Sequence, residues 1–459
     1  MKKILTKWKD YDGDIFLKLH SCFYHQLTVE YLCAPNISLL SKFGPDMIIT
    51  LTDDVYDVHQ RLKETHQIFN RAEAGADTSV GEVLELFRIL DWRSNETMIA
   101  RYIASELSGL HEGKAIPHFI FAVKHYLQTL FDLVYRPELP KVYISHPISE
   151  IRRLKREGED SRADQMISSI EELEKFSSGT MVGFLPTTTD ELRIDYDLDE
   201  KKEQIFKPSL TERWAAKHYA ESENRLHIPP IESENDQVKL WRDEGDSSDE
   251  TKTLLRELAD RIGKQITTRD YKLVEQSDCL LVFRPCFNGN PSQGVLNEIE
   301  YHAKLVERYR RLSKPCFVYN PIEDQKDLFI RYLESTIDES INTRRLEFDG
   351  KFSFDDNQRS RLKGYLDPVN LDRVRGLVRE YCRDKGVRSV ARFKAMSPDP
   401  AALTQDLYVE IVKNANEKWL TTLGMYRNQF TYILQKDGVS VEELINTALD
   451  RFASDLNRG

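Results

Sequence analysis

Short apolar runs that alternate with helix-forming stretches most constrain how this chain can fold. The run CLLVF, residues 279–283, has the continuous apolar character of a strand that is covered on both faces. Similar runs occur in KVYISHP (141–147), TMVGFLP (180–186) and KPCFVYNP (314–321). Strands that alternate with helices predict an α/β fold with a mostly parallel sheet.

The length of the chain calls for more than one hydrophobic core. With 459 residues, two or three domains are expected. Helical spacing predicts helices at 55–72, 95–110, 149–176 and 252–262, and in the C-terminal region at 370–385, 400–420 and 438–456. GPDMIITLTDD (44–54) and PHFIFAVKH (117–125) predict further strands. The predicted division is an α/β domain at 1–137, a second parallel-sheet α/β domain at 138–330, and a mainly helical region at 331–459.

Composition excludes several classes of protein. The chain is 40% hydrophobic and has no run approaching the roughly 20 apolar residues of a membrane span. Its net charge of −11 argues against a dedicated nucleic-acid binder, which would carry a basic face. Six cysteines without CxxC spacing, together with a start that lacks a signal-peptide core, predict a reduced cytoplasmic protein.

Three common catalytic signatures are missing. The segment HEGKAIP (111–117) has a Gly-Lys pair, but no GxxxxGK[ST] loop that could cradle phosphate exists. The histidines show no zinc-ligand spacing, and GxSxG is absent. We therefore expect neither a metal ion nor an organic cofactor.

Candidate binding residues lie just past the first strand of the second domain. Tyr143, Ser145, His146 and Pro147 stand at the edge where doubly wound sheets bind ligands. The following basic pair, Arg152 and Arg153, suits either a small anion near a helix start or a solvated helix face.

A second group of candidate residues lies on both sides of the CLLVF strand in the sequence. Asp270 precedes the strand and suits a general acid or a helix cap. After the strand, Ser292 and Gly294 open a helix, where a serine either caps the helix or binds phosphate. Glu298 and Glu300 point roughly 200° apart on a helix, so only one of them can face a ligand at the sheet edge.

The order of these pieces resembles the nucleoside 2-deoxyribosyltransferase superfamily over about residues 140–325. The resemblance is carried by YISHPIS, RDYKLVEQSDCLLVFRP, GVLNEIEYHAKL and SKPCFVYNP, in that order. It implies a flavodoxin- or Rossmann-like parallel sheet, with Glu298 as the nucleophile and Asp270 as the acid/base residue. It also implies a homo-oligomer, because the superfamily often builds its site across subunits.

Within that superfamily, NPSQGVLNEIEY is most similar to the 2′-deoxynucleoside 5′-monophosphate N-glycosidases. Their serine before the glutamate holds the 5′-phosphate, and the matching residue here is Ser292. Arg152 or Arg153 would contact the same phosphate. The chain departs from the pattern at His146-Pro147, where glycine is common, and at Glu300, which replaces a glycine after the nucleophile.

The N-terminal block resembles the later half of adenylate-kinase-like P-loop kinases. LKLHSCFYHQL, GPDMIITLTDDVYDVHQRL and LDWRSNETMIARYIASEL carry this likeness, within residues 10–130. The phosphate-binding part is missing. The resemblance therefore implies a degenerate kinase-like domain with a regulatory or dimerising role.

The leading hypothesis is an N-glycosidase that hydrolyses the base–sugar bond of a nucleoside 5′-monophosphate. Two other enzymatic alternatives remain open: transfer of deoxyribose between bases, and cleavage of the nicotinamide bond of NAD. The alternative from another class is a nucleotide-sensing or interaction protein. A regulated nucleotide-depleting effector, for instance in antiviral defence, would also suit this domain order.

Overall fold

A computed structural model describes fifteen stretches of the chain. They are residues 13–25, 30–64, 78–111, 114–148, 151, 154, 160–177, 179–189, 194–198, 204–208, 249–285, 292–308, 314–319, 430–433, and 443 with 445–450. The chain forms two compact units. The first unit is Met1–Pro137 with Leu185–Gln276, and the second unit is Glu138–Phe184 with Ser277–Gly459.

The described residues form α-helices and short strands. The strands are β1 (Cys22–His25), β2 (Glu30–Cys33), β3 (Ile48–Thr52), β4 (His118–Ala122), β5 (Lys141–Ser145), β6 (Val182–Phe184), β7 (Ile194–Leu198), β8 (Gln204–Pro208), β9 (Cys279–Phe283), β10 (Cys316–Tyr319) and β11 (Phe430–Ile433). The helices are α1 (Ile37–Phe43), α2 (Val55–Glu64), α3 (Thr78–Leu110), α4 (Leu127–Tyr135), α5 (Asp160–Ser177), α6 (Pro186–Thr189), α7 (Asp249–Gln276) and α8 (Gln293–Arg308).

The first unit contains a parallel strand pair and two antiparallel hairpins. β3 pairs in parallel with β4, whereas β1 pairs with β2 and β7 with β8 in antiparallel register. The strands predicted within 44–54 and 117–125 are confirmed as β3 and β4. The helix predicted at 95–110 is the second half of α3, which is 33 residues long.

Helix α7 is longer than the sequence predicted. It runs through 28 residues instead of ending near 262, because the four-residue spacing of Leu258, Ile262 and Ile266 continues its buried face. These side chains pack in one core cluster with Leu86 and Leu90 of α3.

Because α7 packs on α3, residues 185–276 belong with the N-terminal residues. The predicted boundary at 137 coincides with a boundary between the two units. The predicted domain 138–330, in contrast, is divided, since residues 185–276, almost half of it, lie in the first unit.

The second unit is built on a parallel sheet. Strands β6, β5, β9 and β10 lie side by side in that order, and β11 pairs in parallel with β10. Counted along the chain, the spatial order is 2-1-3-4-5, which is the order of flavodoxin-like doubly wound sheets. All residues of β9 and β10 are buried, as their apolar runs predicted.

The C-terminal region contributes a strand that the helical interpretation missed. Phe430–Ile433 extends the sheet, because its alternating aromatic and branched residues favour pairing with the edge strand β10. Residues 445–450 are helical, within the helix predicted at 438–456. The helices predicted at 370–385 and 400–420 lie outside the described residues. Along the described part of the chain, no helix has the length and apolar character that a membrane crossing requires.

Candidate active site around Glu298

The parallel sheet has a topological switch point between β5 and β9. From β5 the chain continues to β6 on one side, and from β9 it continues to β10 on the other side. In doubly wound sheets, ligands bind in the crevice at the carboxyl ends of the two strands that flank such a point. In this sheet those ends are Ser145 on β5 and Phe283 on β9.

Helix α8 carries a carboxylate on its buried face. Its buried residues are spaced three or four apart, as expected for the inner stripe of an amphipathic helix: Val295, Glu298, Ile299, His302 and Leu305. Glu298 is only 6% exposed and is the one acidic residue in this stripe. A charged residue at such a position needs hydrogen-bonding partners, since an unpaired buried charge is costly.

Two hydroxyl groups of β5 supply those partners. The Tyr143 hydroxyl donates to Oε1 of Glu298 at 2.9 Å, and the Ser145 hydroxyl donates to Oε2 at 2.5 Å. Tyr143 and Ser145 are two residues apart on one strand, so their side chains project from the same face of the sheet. Both oxygens of the carboxylate are therefore held by β5.

Burial decides the protonation of this carboxylate. It raises the pKa of Glu298 from 4.5 to about 7, although the hydrogen bonds from Ser145 and Tyr143 lower it. Near neutral pH, Glu298 is thus present in both the protonated and the ionised form. Such a raised pKa is typical of functional carboxylates, although structural groups show it too.

The neighbouring glutamate has a different environment. The Glu300 side chain is 46% exposed and pairs with Lys304, one turn further along α8, at 2.6 Å. This is the ordinary i,i+4 pair of a solvated helix face. The structure therefore separates the two glutamates as the helical geometry requires, with Glu298 inside and Glu300 outside.

Ser292 is the residue immediately before α8. Its carbonyl accepts from the N–H of Leu296, and its own N–H donates to the carbonyl of Pro285 at 3.1 Å. A Cβ added to Gly294 would meet only the Ser292 hydroxyl, at an ordinary 3.8 Å. The surrounding protein therefore does not require a glycine at this position.

The other predicted binding residues fall into two groups. His146 and Pro147 follow β5 directly and are buried, with Nδ1 of His146 lying 3.1 Å from the carbonyl of Ile144. Arg152 and Arg153 lie outside the described residues. The predicted anion site at those arginines stays a prediction.

Asp270 has a different position from the one predicted. It lies inside α7, six residues before the helix ends, and so neither caps a helix nor stands at the approach to β9. The reason is that the apolar spacing of α7 continues through Leu273 to Gln276. Asp270 belongs to the first unit, where its Oδ1 accepts a hydrogen bond from the Thr189 hydroxyl at 2.9 Å.

Two residues in the second unit were missed by the sequence reasoning. Arg284, at the carboxyl end of β9, is buried and has φ of 49°, a conformation that is uncommon for a residue other than glycine. Its guanidinium donates to the Ser169 hydroxyl of α5 at 3.2 Å. His302 is buried one turn after Glu298. The four-residue spacing of Glu298 and His302 was a signal that could have found the histidine.

Comparison with protein-family models, curated proteins and solved structures finds no match to this chain. Within the described residues, no group of three His, Cys, Asp or Glu side chains is arranged to hold a metal ion.

Proposed function

We propose that the protein is an N-glycosidase that hydrolyses the base–sugar bond of a nucleoside 5′-monophosphate, with Glu298 as the nucleophile. The observation that carries the proposal is the buried Glu298 carboxylate, held by Tyr143 and Ser145 beside the switch point of a parallel sheet. That is where ligands of such sheets bind. The sequence resemblance supplies the substrate class.

The reaction suits a carboxylate in this environment. Loss of the base leaves positive charge on C1′ of the sugar, which an adjacent ionised carboxylate stabilises and can capture as a covalent ester. Water then attacks C1′, releases the sugar 5-phosphate and returns Glu298 as a free carboxylate. Hydrogen bonds from Tyr143 and Ser145 keep the carboxylate oriented through both steps.

The departing base needs a proton, which a general acid supplies. The resemblance gives this role to Asp270. That assignment rests on the sequence alone, and the proposal depends on Glu298 and not on Asp270. Asp270→Asn tests it separately, in the same assay.

The start of α8 is our candidate for the phosphate end of the substrate. Ser292 and the exposed Gln293 and Gly294 stand at the first turn of a 16-residue helix, where free N–H groups favour an anion. Gly294 and Glu298 are one turn apart, about 6 Å along the helix axis. A phosphate at this end and the sugar carbon at Glu298 would place one nucleotide along the first turns of α8.

The test is release of free base from a panel of nucleoside 5′-monophosphates, followed by chromatography. Wild type should release free base. Glu298→Gln should release it at least about a thousandfold more slowly, and Glu300→Gln should release it at the wild-type rate. Glu300 is the matched control because it lies two residues away on the exposed face. No release by wild type, or equal loss in both variants, would refute the proposal.

Two further arms of this assay separate the alternative reactions. A second free base added to free deoxynucleosides yields a new nucleoside if the protein is a deoxyribosyltransferase. Incubation with NAD yields free nicotinamide if it is an NAD glycohydrolase. Tight binding of a nucleotide without turnover, unchanged in Glu298→Gln, would instead indicate a sensor.

A further inference from the structure

His302 is a buried titratable group that the proposed reaction does not use. Its side chain is 1% exposed, and neither ring nitrogen has a hydrogen-bond partner among the described residues. A neutral imidazole carries one donor and one acceptor, and buried polar groups of this kind are nearly always satisfied in proteins. A purely structural position in this apolar stripe would be filled more favourably by leucine or methionine.

The position of His302 on α8 places it beside Glu298. It follows Glu298 by four residues on the same buried stripe, so the Cβ atoms are neighbours at about 5–6 Å. Side chains of a helix lean toward its N-terminus. This general direction takes a side chain at position 302 toward the turn that carries Glu298.

The carboxylate can accept further hydrogen bonds. An ionised carboxylate has about four lone-pair sites. Tyr143 donates to one oxygen and Ser145 to the other, which accounts for two of those sites. A water molecule between Glu298 and His302 would donate to the carboxylate and accept from the ring N–H, which satisfies one acceptor site of Glu298 and one ring nitrogen of His302.

We propose that His302 is a positioning residue for Glu298, acting through one bound water molecule. Burial, together with the positive charge of Lys314, lowers the pKa of His302 to about 3, so the ring stays neutral and acts as a hydrogen-bond donor instead of a base. Among the described ionisable groups, Tyr143 of β5 contacts Glu298 directly, His302 lies one turn further along α8, and Lys314, just before β10, acts on His302. The water and His302 favour the ionised form of Glu298 and fix its direction.

The proposal can be tested without substrate, so its failure is distinguishable from failure of the proposed function. The free energy of unfolding is compared between wild type and Glu298→Gln across pH 4 to 10. The advantage of the glutamine variant grows with pH between the pKa of Glu298 in the unfolded chain and its pKa in the folded protein, so the midpoint of that growth lies halfway between the two pKa values. The same comparison is then made in a His302→Leu background.

Loss of the donor should raise the folded pKa of Glu298 by about one unit in His302→Leu, which corresponds to one hydrogen bond to a charged group, and should therefore move this midpoint upward by about half a pH unit. His302→Gln, which keeps a donor and an acceptor, should restore the midpoint toward that of wild type. If His302→Leu does not fold, His302→Met makes the same comparison. An unchanged midpoint, whether or not the variant is more stable than wild type, would overturn the proposal.

Discussion

At the scale of single residues, Glu298 is governed by two opposing effects. Burial penalises its charge, whereas the hydroxyls of Tyr143 and Ser145 stabilise that charge. The pKa of about 7 shows that burial outweighs both hydrogen bonds. Such a balance suits a nucleophile, which must be ionised to act but must not be tightly solvated. A desolvated carboxylate interacts strongly with charge that develops on a substrate.

The raised pKa predicts how activity depends on pH. If ionised Glu298 is the nucleophile, kcat/KM should rise as pH increases through about 7. Tyr143→Phe removes one donor to the carboxylate and should shift this rise upward by about one pH unit. Initial rates of base release between pH 5 and 9 measure both effects.

The control for this profile is Tyr135→Phe, which changes an exposed tyrosine of the first unit. Its profile should match that of wild type. A wild-type rate that falls as pH rises through 7 would contradict the assignment, because it would mean that Glu298 acts in its protonated form.

The same pKa predicts a dependence of stability on pH. The folded protein holds the Glu298 proton more tightly than the unfolded chain does, since the pKa is about 7 when folded and 4.5 without burial. This contribution is present below about pH 4.5 and is lost as pH rises through 7, at a cost of about 3 kcal/mol. Glu298→Gln should therefore be more stable than wild type at pH 8 and nearly equal at pH 4, measured by chemical unfolding.

At the scale of elements, helices α7 and α8 show what periodicity can and cannot indicate. The apolar spacing predicted both helices, but it did not predict where α7 ends or which stripe of α8 is buried. Contact with α3 decides the first point, and packing against the sheet decides the second. Glycine at a helix end is better defined by local geometry. Gly44 ends α1 in the left-handed conformation, with φ of 65°.

Two glycines of the first unit should respond in opposite ways to alanine. Gly44→Ala forces a side chain into the left-handed region and should lower the free energy of unfolding by about 1 kcal/mol. Gly263→Ala lies inside α7, where an added Cβ meets nothing within 4 Å, and should raise it by about 0.5–1 kcal/mol.

Thermal unfolding of both variants beside wild type provides the measurement. The pair is its own control, because the same chemical change is made in the same unit. A shift of the melting temperature in the same direction for both would contradict the backbone argument.

At the scale of the whole molecule, the sheet of the second unit is interrupted in sequence but not in space. After β6 the chain leaves for residues 185–276, which belong to the first unit, and returns as β9 beside β5. Asp278, just before β9, links this strand to the start of β5, because the Lys141 N–H donates to the Asp278 carboxylate at 2.8 Å. The two units are therefore interleaved along the chain, so that a cut at residue 137 separates α3 from α7.

This organisation predicts the behaviour of a truncated chain. Residues 138–459 alone would keep α7 but lose α3, exposing the side chains of Leu258, Ile262 and Ile266. We expect this fragment to aggregate, because an uncovered apolar face of this size promotes association. Co-expression with residues 1–137 should restore solubility, as measured by size-exclusion chromatography. A monodisperse fragment that unfolds cooperatively without its partner would contradict the packing argument.

The sequence by itself determined the local features of this protein. Apolar runs of four or five residues specify β9 and β10, because a strand covered on both faces is apolar at nearly every position. The helical angle between Glu298 and Glu300 determined that only one could be buried. Only the tertiary structure decided that it is Glu298, since its partners Tyr143 and Ser145 lie 155 and 153 residues away along the chain. Strand order depends on such long-range contacts, which no local pattern encodes.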